Sequence, residues 1–573
     1  MLWFASRHRG VCRVLWLLPQ RSSVSSSGSP WRNDVACDAR GFASGCCPVM
    51  CNAFYAIRRS ASRKKELDEA LVDMVVKDCQ PFTVVNDQGF KGLVKLLDPS
   101  YVLPTRQALK AMVEERYQKA KREAKALVQQ ATAVSLTADM WTSMNMEAYL
   151  AVTCHFIADG VLNTTLLGVE HFPKSHTALN MARAKGAIME EWGIRHKVTC
   201  LVTDAASNML ACGRELHLKQ AVCVAHAINL MVKKSMDETP GLENLRSSAR
   251  RIVTLFRSST TAKERLSQMQ ERMGRPLHKL LQEVETRWNS TYIMLERLHS
   301  EREAVSAAMA SLPSEVAMIT AMEFSIIQEC LGVLRPFNEA TVELSAEKRV
   351  SASKILPLLK MVSLNLGEQL AHIHTDMAKH LTKNLQLRLM ESLSHYQKTS
   401  ILTLPTLLDP RFKTLGFLSP SKVEDAIKRL TTECGLVIGQ GNVGLQSPHL
   451  STPAAVHEDE EPSTSSGGLW RHLDATVQRT RQTHNTTADA IVEVQRYLKE
   501  PHINRSDDPL QYWNTHKPLY PHLYILSLKF LCTPASSVPC ERIFSKAGEV
   551  VSKKRNRLSP KVLEQILFLN KNT

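Results

Sequence analysis

The stretch between residues 131 and 235 changes its hydrophobic period repeatedly, and this alternation constrains the fold more than any other feature of the chain. Val134–Met140 reads as a strand. Tyr149–Ile157 and Val161–Phe172 are longer β-rich runs joined through Asp159-Gly160, a pair suited to the type I′ turn of a hairpin. Thr177–Trp192 has helical spacing and stops at Gly193. Lys197–Thr203 reads as a buried strand, Ala205–Leu216 as a helix, and Ala221–Val224 as a short strand entering a helix toward Lys234. The predicted order is β-β-β-α-β-α-β-α, an α/β arrangement.

That order matches the ribonuclease H-like fold, in which the fourth strand crosses over to lie parallel beside the first. Two carboxylates then become conspicuous. Asp139 stands near the end of the first strand and Asp204 just past the fourth, so neighbouring strands would bring them together. Facing carboxylates repel unless a cation neutralises them, and Mg²⁺ or Mn²⁺ prefers such hard oxygen ligands. The alternative at this point is structural: Asp139 on the surface, and Asp204 capping the helix that follows it.

Around this segment the chain divides by composition. Residues 1–65 hold eleven basic and two acidic side chains, a leader expected to be disordered. The whole chain carries +16, so residues 66–573 contribute only +7. The sign of the charge points to a polyanionic partner such as DNA. Arg58, Arg59, Arg63, Lys64 and Lys65 make an import-type patch that favours the nucleus. The Arg-rich, acid-poor first 33 residues imitate a mitochondrial transit peptide, the alternative address. No segment has the apolar length of a membrane span, and the expected partners include neither a membrane nor a small-molecule substrate.

Residues 66–130 read as helical packing elements, 131–290 as the first part of the α/β core, and 291–505 as an all-helical insertion. Within the insertion, Ile401 to Phe412 reads as a Pro-punctuated connection, and residues 435–469, with the acidic run Glu458–Glu461, as a disordered linker. Residues 506–573 complete the core. The 14 cysteines lack zinc-finger spacing to a histidine pair, so no structural zinc is expected, and Cys223 and His226 read as packing residues.

Five blocks stand in an order that resembles the hAT-superfamily transposases, closest to their BED-zinc-finger (ZBED-like) group. They are Ser135-Leu-Thr-Ala-Asp139-Met-Trp141-Thr142, Val202-Thr-Asp204-Ala-Ala-Ser-Asn208, Cys223-Val-Ala-His226-Ala-Ile-Asn229-Leu230, Glu285-Thr-Arg287-Trp288-Asn-Ser290 and Ser537-Val-Pro-Cys-Glu541-Arg542-Ile-Phe544-Ser545. The resemblance covers roughly residues 66–571. It implies a DDE triad of Asp139, Asp204 and Glu541 that binds Mg²⁺ or Mn²⁺, a ribonuclease H-like core split by a helical insertion, and a carboxy-terminal dimerisation segment. The BED finger that the resemblance calls for upstream of residue 66 has no counterpart in the sequence.

Further expectations attach to single residues. Arg287 and Trp288 pair a cation with a stacking surface suited to an unpaired base, although a buried tryptophan fits the same pattern. Lys553, Lys554, Arg555 and Arg557 form a basic loop able to neutralise phosphates. Val562, Leu563, Ile566 and Leu567 line one face of the last helix, which must be covered by its own core or by a second copy; the expectation is a homodimer. Two functions remain open: a dimeric DNA-binding transcription regulator that keeps a DDE-like site, and an active DNA transposase.

Overall fold

The alternating segment forms a five-stranded mixed sheet in the order β3-β2-β1-β4-β5. The strands are β1 (Val134–Thr142), β2 (Ala148–Ala158), β3 (Val161–His171), β4 (Val198–Thr203) and β5 (Gln220–Val222). β1 to β3 form the antiparallel meander, and β4 and β5 are parallel to β1 and to each other. Asp159 and Gly160 both take positive φ, 50° and 71°, as a type I′ turn requires. Gly160 takes this backbone without the strain a side chain would meet, and a Cβ there would also have to displace the Asn514 side chain.

This computed structural model describes residues 48–284, 286–443, 486–551 and 558–573, together with Thr476. Two units divide at Glu114 and Glu115. The first contains α1 (Pro48–Lys77), α2 (Gln88–Leu97) and the start of α3 (Arg106–Gln130). α1 begins well inside the leader expected to be disordered. Its stripe Leu71, Val72, Val75 and Val76 is buried, and that apolar face sustains the helix.

In the second unit, α4 (Ala178–Glu191), α5 (Ser207–Glu215) and α6 (Val224–Asp237) connect and follow the strands. Thr177 caps α4 by accepting the Asn180 N–H. The helical array runs through α7 (Leu242–Ser258), α8 (Thr260–Arg272), α9 (Trp288–Ser300), α10 (Arg302–Ala310) and α11 (Ala321–Leu344). It continues as α12 (Ile355–Leu370), α13 (Asp376–Tyr396), α14 (Ser400–Leu408), α15 (Pro420–Val443) and α16 (Thr486–Lys499). The helices therefore begin upstream of residue 291, the expected start of the insertion. Sheet and array share one buried cluster, from Cys200 and Val202 through Leu356 and Leu404 to Phe530.

Two expectations inside the array fail. Ile401 to Leu408 is helix rather than a connection, despite Pro405, and every one of those residues is buried. Proline costs a helix interior about 3 kcal/mol, whereas each large side chain buried returns about 1.5–3 kcal/mol. The expected linker likewise starts too early, because α15 extends to Val443 with Cys434 and Ile438 in the core. Its acidic run lies outside the described residues.

The chain ends in α17 (Pro509–His516), α18 (Pro521–Leu531), α19 (Val538–Val550) and α20 (Pro560–Asn572). α19 packs on β1 and β2, and α20 on β3. Val562, Leu563, Ile566 and Leu567 are 3%, 1%, 0% and 1% exposed, so the stripe expected at a dimer interface is intramolecular core. β3 is the open edge of the sheet and its face needs cover; α20, with Phe568 against Trp192 and Tyr117, supplies it. No helix among the described residues is long and apolar enough to cross a membrane.

Candidate functional site

β1 and β4 run side by side, with Thr137 opposite Val202. Two residues further along, Asp139, still paired with β2, and Asp204, just past the end of β4, therefore stand at the same level. Asp204 does not cap α5, whose N-cap residue is Ala206; its Oδ1 accepts the Ala206 N–H at 3.3 Å, which leaves the other oxygen for different work.

Glu541 reaches this edge from 337 positions downstream of Asp204 in the sequence. α19 opens at Val538 with Pro539 next, and Glu541 lies in the first turn, where the helix dipole favours an acid. Four contacts seat that turn and the segment before it. The Ser537 N–H donates to Cys223 Sγ at 3.3 Å, and Cys223 N–H donates to Thr203 O at 2.7 Å. Cys540 Sγ lies 3.2 Å from Thr137 Oγ1, two residues before Asp139. The Val224 N–H donates to Ala535 O at 3.0 Å, which ties the start of α6 to the same segment.

The electrostatics show what these contacts bring together. Burial, the charge of Glu541 and the charge of Asp204 push the Asp139 carboxyl up to about 7. Burial also raises Glu541, whereas Arg287 and Arg542 act to lower it. Glu541 is 4% exposed. Asp139 thus lies within the electrostatic reach of both Glu541 and Asp204, while two arginines act on Glu541. Among the described residues, no three His, Cys, Asp or Glu side chains already stand as a set that could hold a metal ion. Carboxylate oxygens are the donor type that a hard divalent cation prefers.

Arg287 belongs to this neighbourhood. Burial lowers its proton affinity and the Glu541 charge opposes that. Its neighbour Trp288 does not serve as a stacking surface: it is 1% exposed, opens α9, and packs edge-on against Tyr292. Its backbone N–H donates to Asn229 Oδ1 at 3.0 Å. A ring held in the core has no free face for a base. Lys553, Lys554, Arg555 and Arg557 lie outside the described residues.

Other residues support the site without standing out in sequence. Arg542 donates to Glu347 Oε2 at 2.7 Å and to Ser345 O at 3.0 Å, and Lys571 bonds the other oxygen of Glu347. Burial works to raise Glu347, but Lys571 and Arg542 hold it below the usual carboxylate range. This clasp ties α19 to α11's end and to α20. Lys185 is 2% exposed and donates only to sulfur, Met209 Sδ at 3.3 Å and Cys212 Sγ at 3.5 Å; burial lowers its proton affinity against the pull of Cys212 and Asp204. His226 is lowered by burial, with Asp204 opposing, and its Nδ1 is buried without a partner among the described residues. Arg542 stands within a recognisable block, but nothing in the spacing announces Glu347 or Lys571 as its partners.

Comparison with known protein families places the chain in a transposase-derived class. Residues 137–230 match the ZBED1 RNase-like domain, 221–331 the ZBED1 RNase-like helical domain, 493–573 the hAT family C-terminal dimerisation region, and 59–99 the Hermes transposase DNA-binding domain. The chain belongs to the hAT-derived, ZBED-like proteins. It is 26% identical over 529 residues to zinc finger BED domain-containing protein 4 of Homo sapiens, covering 89% of this chain and 43% of that protein. It is 24% identical to zinc finger BED domain-containing protein 6 of Mus musculus, covering 88% and 55%. It is also 24% identical to a putative AC transposase of Zea mays, covering 85% and 62%. The chain spans about half the length of the curated relatives it matches.

Proposed function

We propose that this chain is a nuclear, homodimeric DNA-binding regulator of transcription, built on a ribonuclease H-like core that keeps a DDE-like carboxylate site. What supports this reading is that the charges of Glu541 and Asp204 both act on Asp139, and that the contacts of Thr137, Cys223 and Cys540 seat the helix start that carries Glu541 against β1 and the start of α6. The matches at 59–99 and 493–573 support DNA and a second copy as partners.

In this reading Asp139, Asp204 and Glu541 would hold Mg²⁺ or Mn²⁺. A metal pair would supply charge stabilisation for the attacking and leaving oxygens of a phosphodiester displacement. The chain's own residues do the rest. Arg287 and Arg542 offset part of the Glu541 charge that would otherwise repel a phosphate, and the Cys540–Thr137 contact holds Glu541 level with the strand ends. The retention of all three acids also favours a second reading, an active transposase that cuts and joins DNA.

Both readings are tested on the full chain with a labelled 30-base-pair duplex. Binding that weakens as salt rises, without strand cleavage in Mg²⁺ or Mn²⁺, supports the regulator. Cleavage that disappears in Glu541→Gln supports the transposase. Absence of binding at low salt removes both.

A further inference from the structure

Residues 251–280 contain seven basic and two acidic side chains, most of the excess that residues 66–573 carry. Their fold gathers part of that charge around a pocket of about 300 Å³ between the end of α7, α8 and the segment 277–280. Arg257, Lys263, His278 and Lys279 line it with Ser267 and Gln270, and no Asp or Glu does. The nearby Glu301 is engaged by two of the lining residues, accepting from Gln270 Nε2 at 2.9 Å and lying 2.8 Å from His278 Nδ1, so it can offset His278 but, with a side chain 5% exposed, leaves Arg257, Lys263 and Lys279 as the pocket's cations. Arg257 spends one donor on Leu280 O at 3.2 Å, which fixes the guanidinium and leaves its other N–H groups. Neither Lys263 nor Lys279 pairs with an acid among the described residues, and both are exposed at the rim.

The pocket is joined to the carboxylate site by its own wall. The segment after Lys279 lies along α7, held by Thr254 Oγ1 to Gln282 Oε1 at 3.3 Å and by Arg250 to Glu283 Oε1 at 2.5 Å. It ends at Arg287, whose charge acts on Glu541. The eight steps from Lys279 to Arg287 span at most about 27 Å of chain. A DNA strand advances about 3.4 Å per nucleotide, so this is the reach of roughly eight nucleotides.

We propose that this basic pocket grips the DNA backbone, taking a phosphodiester within about eight nucleotides of Arg287 on a strand that runs on toward Asp139, Asp204 and Glu541. The inference rests on the DNA-binding reading above. Backbone phosphate fits better than a free nucleotide, because the cations come from separate stretches and stand at exposed positions over which a strand can pass.

The test uses the full chain, a labelled 30-base-pair duplex of arbitrary sequence, and the variant Lys263→Gln with Lys279→Gln. The log–log salt slope of binding should fall by up to about 1.8, at about 0.9 for each phosphate no longer neutralised. The equal charge change Lys383→Gln with Lys428→Gln, at exposed positions on α13 and α15, should leave the slope unchanged. DNA should also protect Lys263 and Lys279 of the parent from chemical acetylation, a local readout that does not depend on how the variant folds. An unchanged slope with unprotected lysines, while the parent still binds DNA, overturns this proposal and spares the DNA-binding reading. A parent that binds no DNA overturns both. Protection of the two lysines by ATP but not by the duplex makes the pocket a nucleotide site and overturns the backbone assignment.

Discussion

Cys540 Sγ sits 3.2 Å from Thr137 Oγ1, so the residue preceding Glu541 is anchored two positions before Asp139 across 403 residues of sequence. Thr137 also bonds the Thr153 hydroxyl and lies 3.4 Å from His155 Nε2. All four side chains are buried. Thr137→Val keeps the shape but removes the shared hydroxyl, leaving polar groups without a partner. Chemical denaturation should show a loss of about 1–3 kcal/mol; an unchanged midpoint would mean that the hydroxyl contributes nothing to seating α19.

Asp139 yields a stability prediction with a definite sign. Its folded carboxyl titrates near 7 against 3.8 for the free group, with burial the largest cause and Glu541 next. The folded state therefore binds the proton more tightly than the unfolded one. Its contribution is present below about pH 4 and lost as pH rises through about 7. At pH 8, Asp139→Asn should raise stability by about 1–3 kcal/mol, a range reduced from the full shift because Asp139 keeps a partly wet edge. Near pH 4 the gain should vanish. Mg²⁺ or Mn²⁺ should raise the melting temperature of the parent more than that of the variant, and equal shifts would argue against a cation at Asp139.

His155 behaves in the opposite sense. Burial lowers it to about 4, among the hydroxyls of Thr153 at 3.0 Å and Thr164 at 3.0 Å. Here the unfolded state binds the proton more tightly, so stability present above about pH 6.5 is lost as pH falls toward 4, by about 3 kcal/mol. His155→Gln should flatten that limb in denaturation curves taken between pH 4 and 7. A slope identical to the parent's would assign the acid limb to other groups.

The carboxy-terminal helix gives a third kind of outcome. Ile566 is fully buried beneath β3, so Ile566→Ala should cost about 2–5 kcal/mol. Ile566→Asp with Leu567→Asp should abolish the folded state rather than release a folded monomer. Circular dichroism and light scattering together decide it, since reduced mass with retained helicity would return the stripe to an intersubunit role.

Arg542→Gln should weaken the clasp on Glu347 and remove a charge that acts to lower Glu541. Because Arg542 is partly exposed, the stability loss should stay within about 1 kcal/mol. Glu347→Gln should produce a larger loss, because it disturbs Arg542 and Lys571 together while Glu347 is nearly buried. Thermal unfolding of the two variants side by side checks the ranking.

Local pattern suffices for the sheet, because side-chain alternation and the Asp159-Gly160 turn act over a few residues, and a β-β-β-α-β order leaves few ways to cross over. It places Asp139 and Asp204 for the same reason: Thr137 and Val202 are in register on adjacent parallel strands, and each acid follows two residues on, Asp139 still within β1 and Asp204 just past β4. Pattern cannot say which partner covers an apolar face. Trp288 and the stripe at Val562, Leu563, Ile566 and Leu567 carry the same signal whether turned to DNA, to a second copy or inward, and only the packing of α9 and α20 decides for the interior. The proline at 405 misleads because its local cost is visible in sequence, whereas the burial that offsets it is shared with distant helices. Glu541 comes within reach of Asp139, and Arg542 and Lys571 within reach of Glu347, only after the helical array has closed over hundreds of residues. A contact of that range depends on the summed geometry of every element between its ends, which no local window of sequence contains.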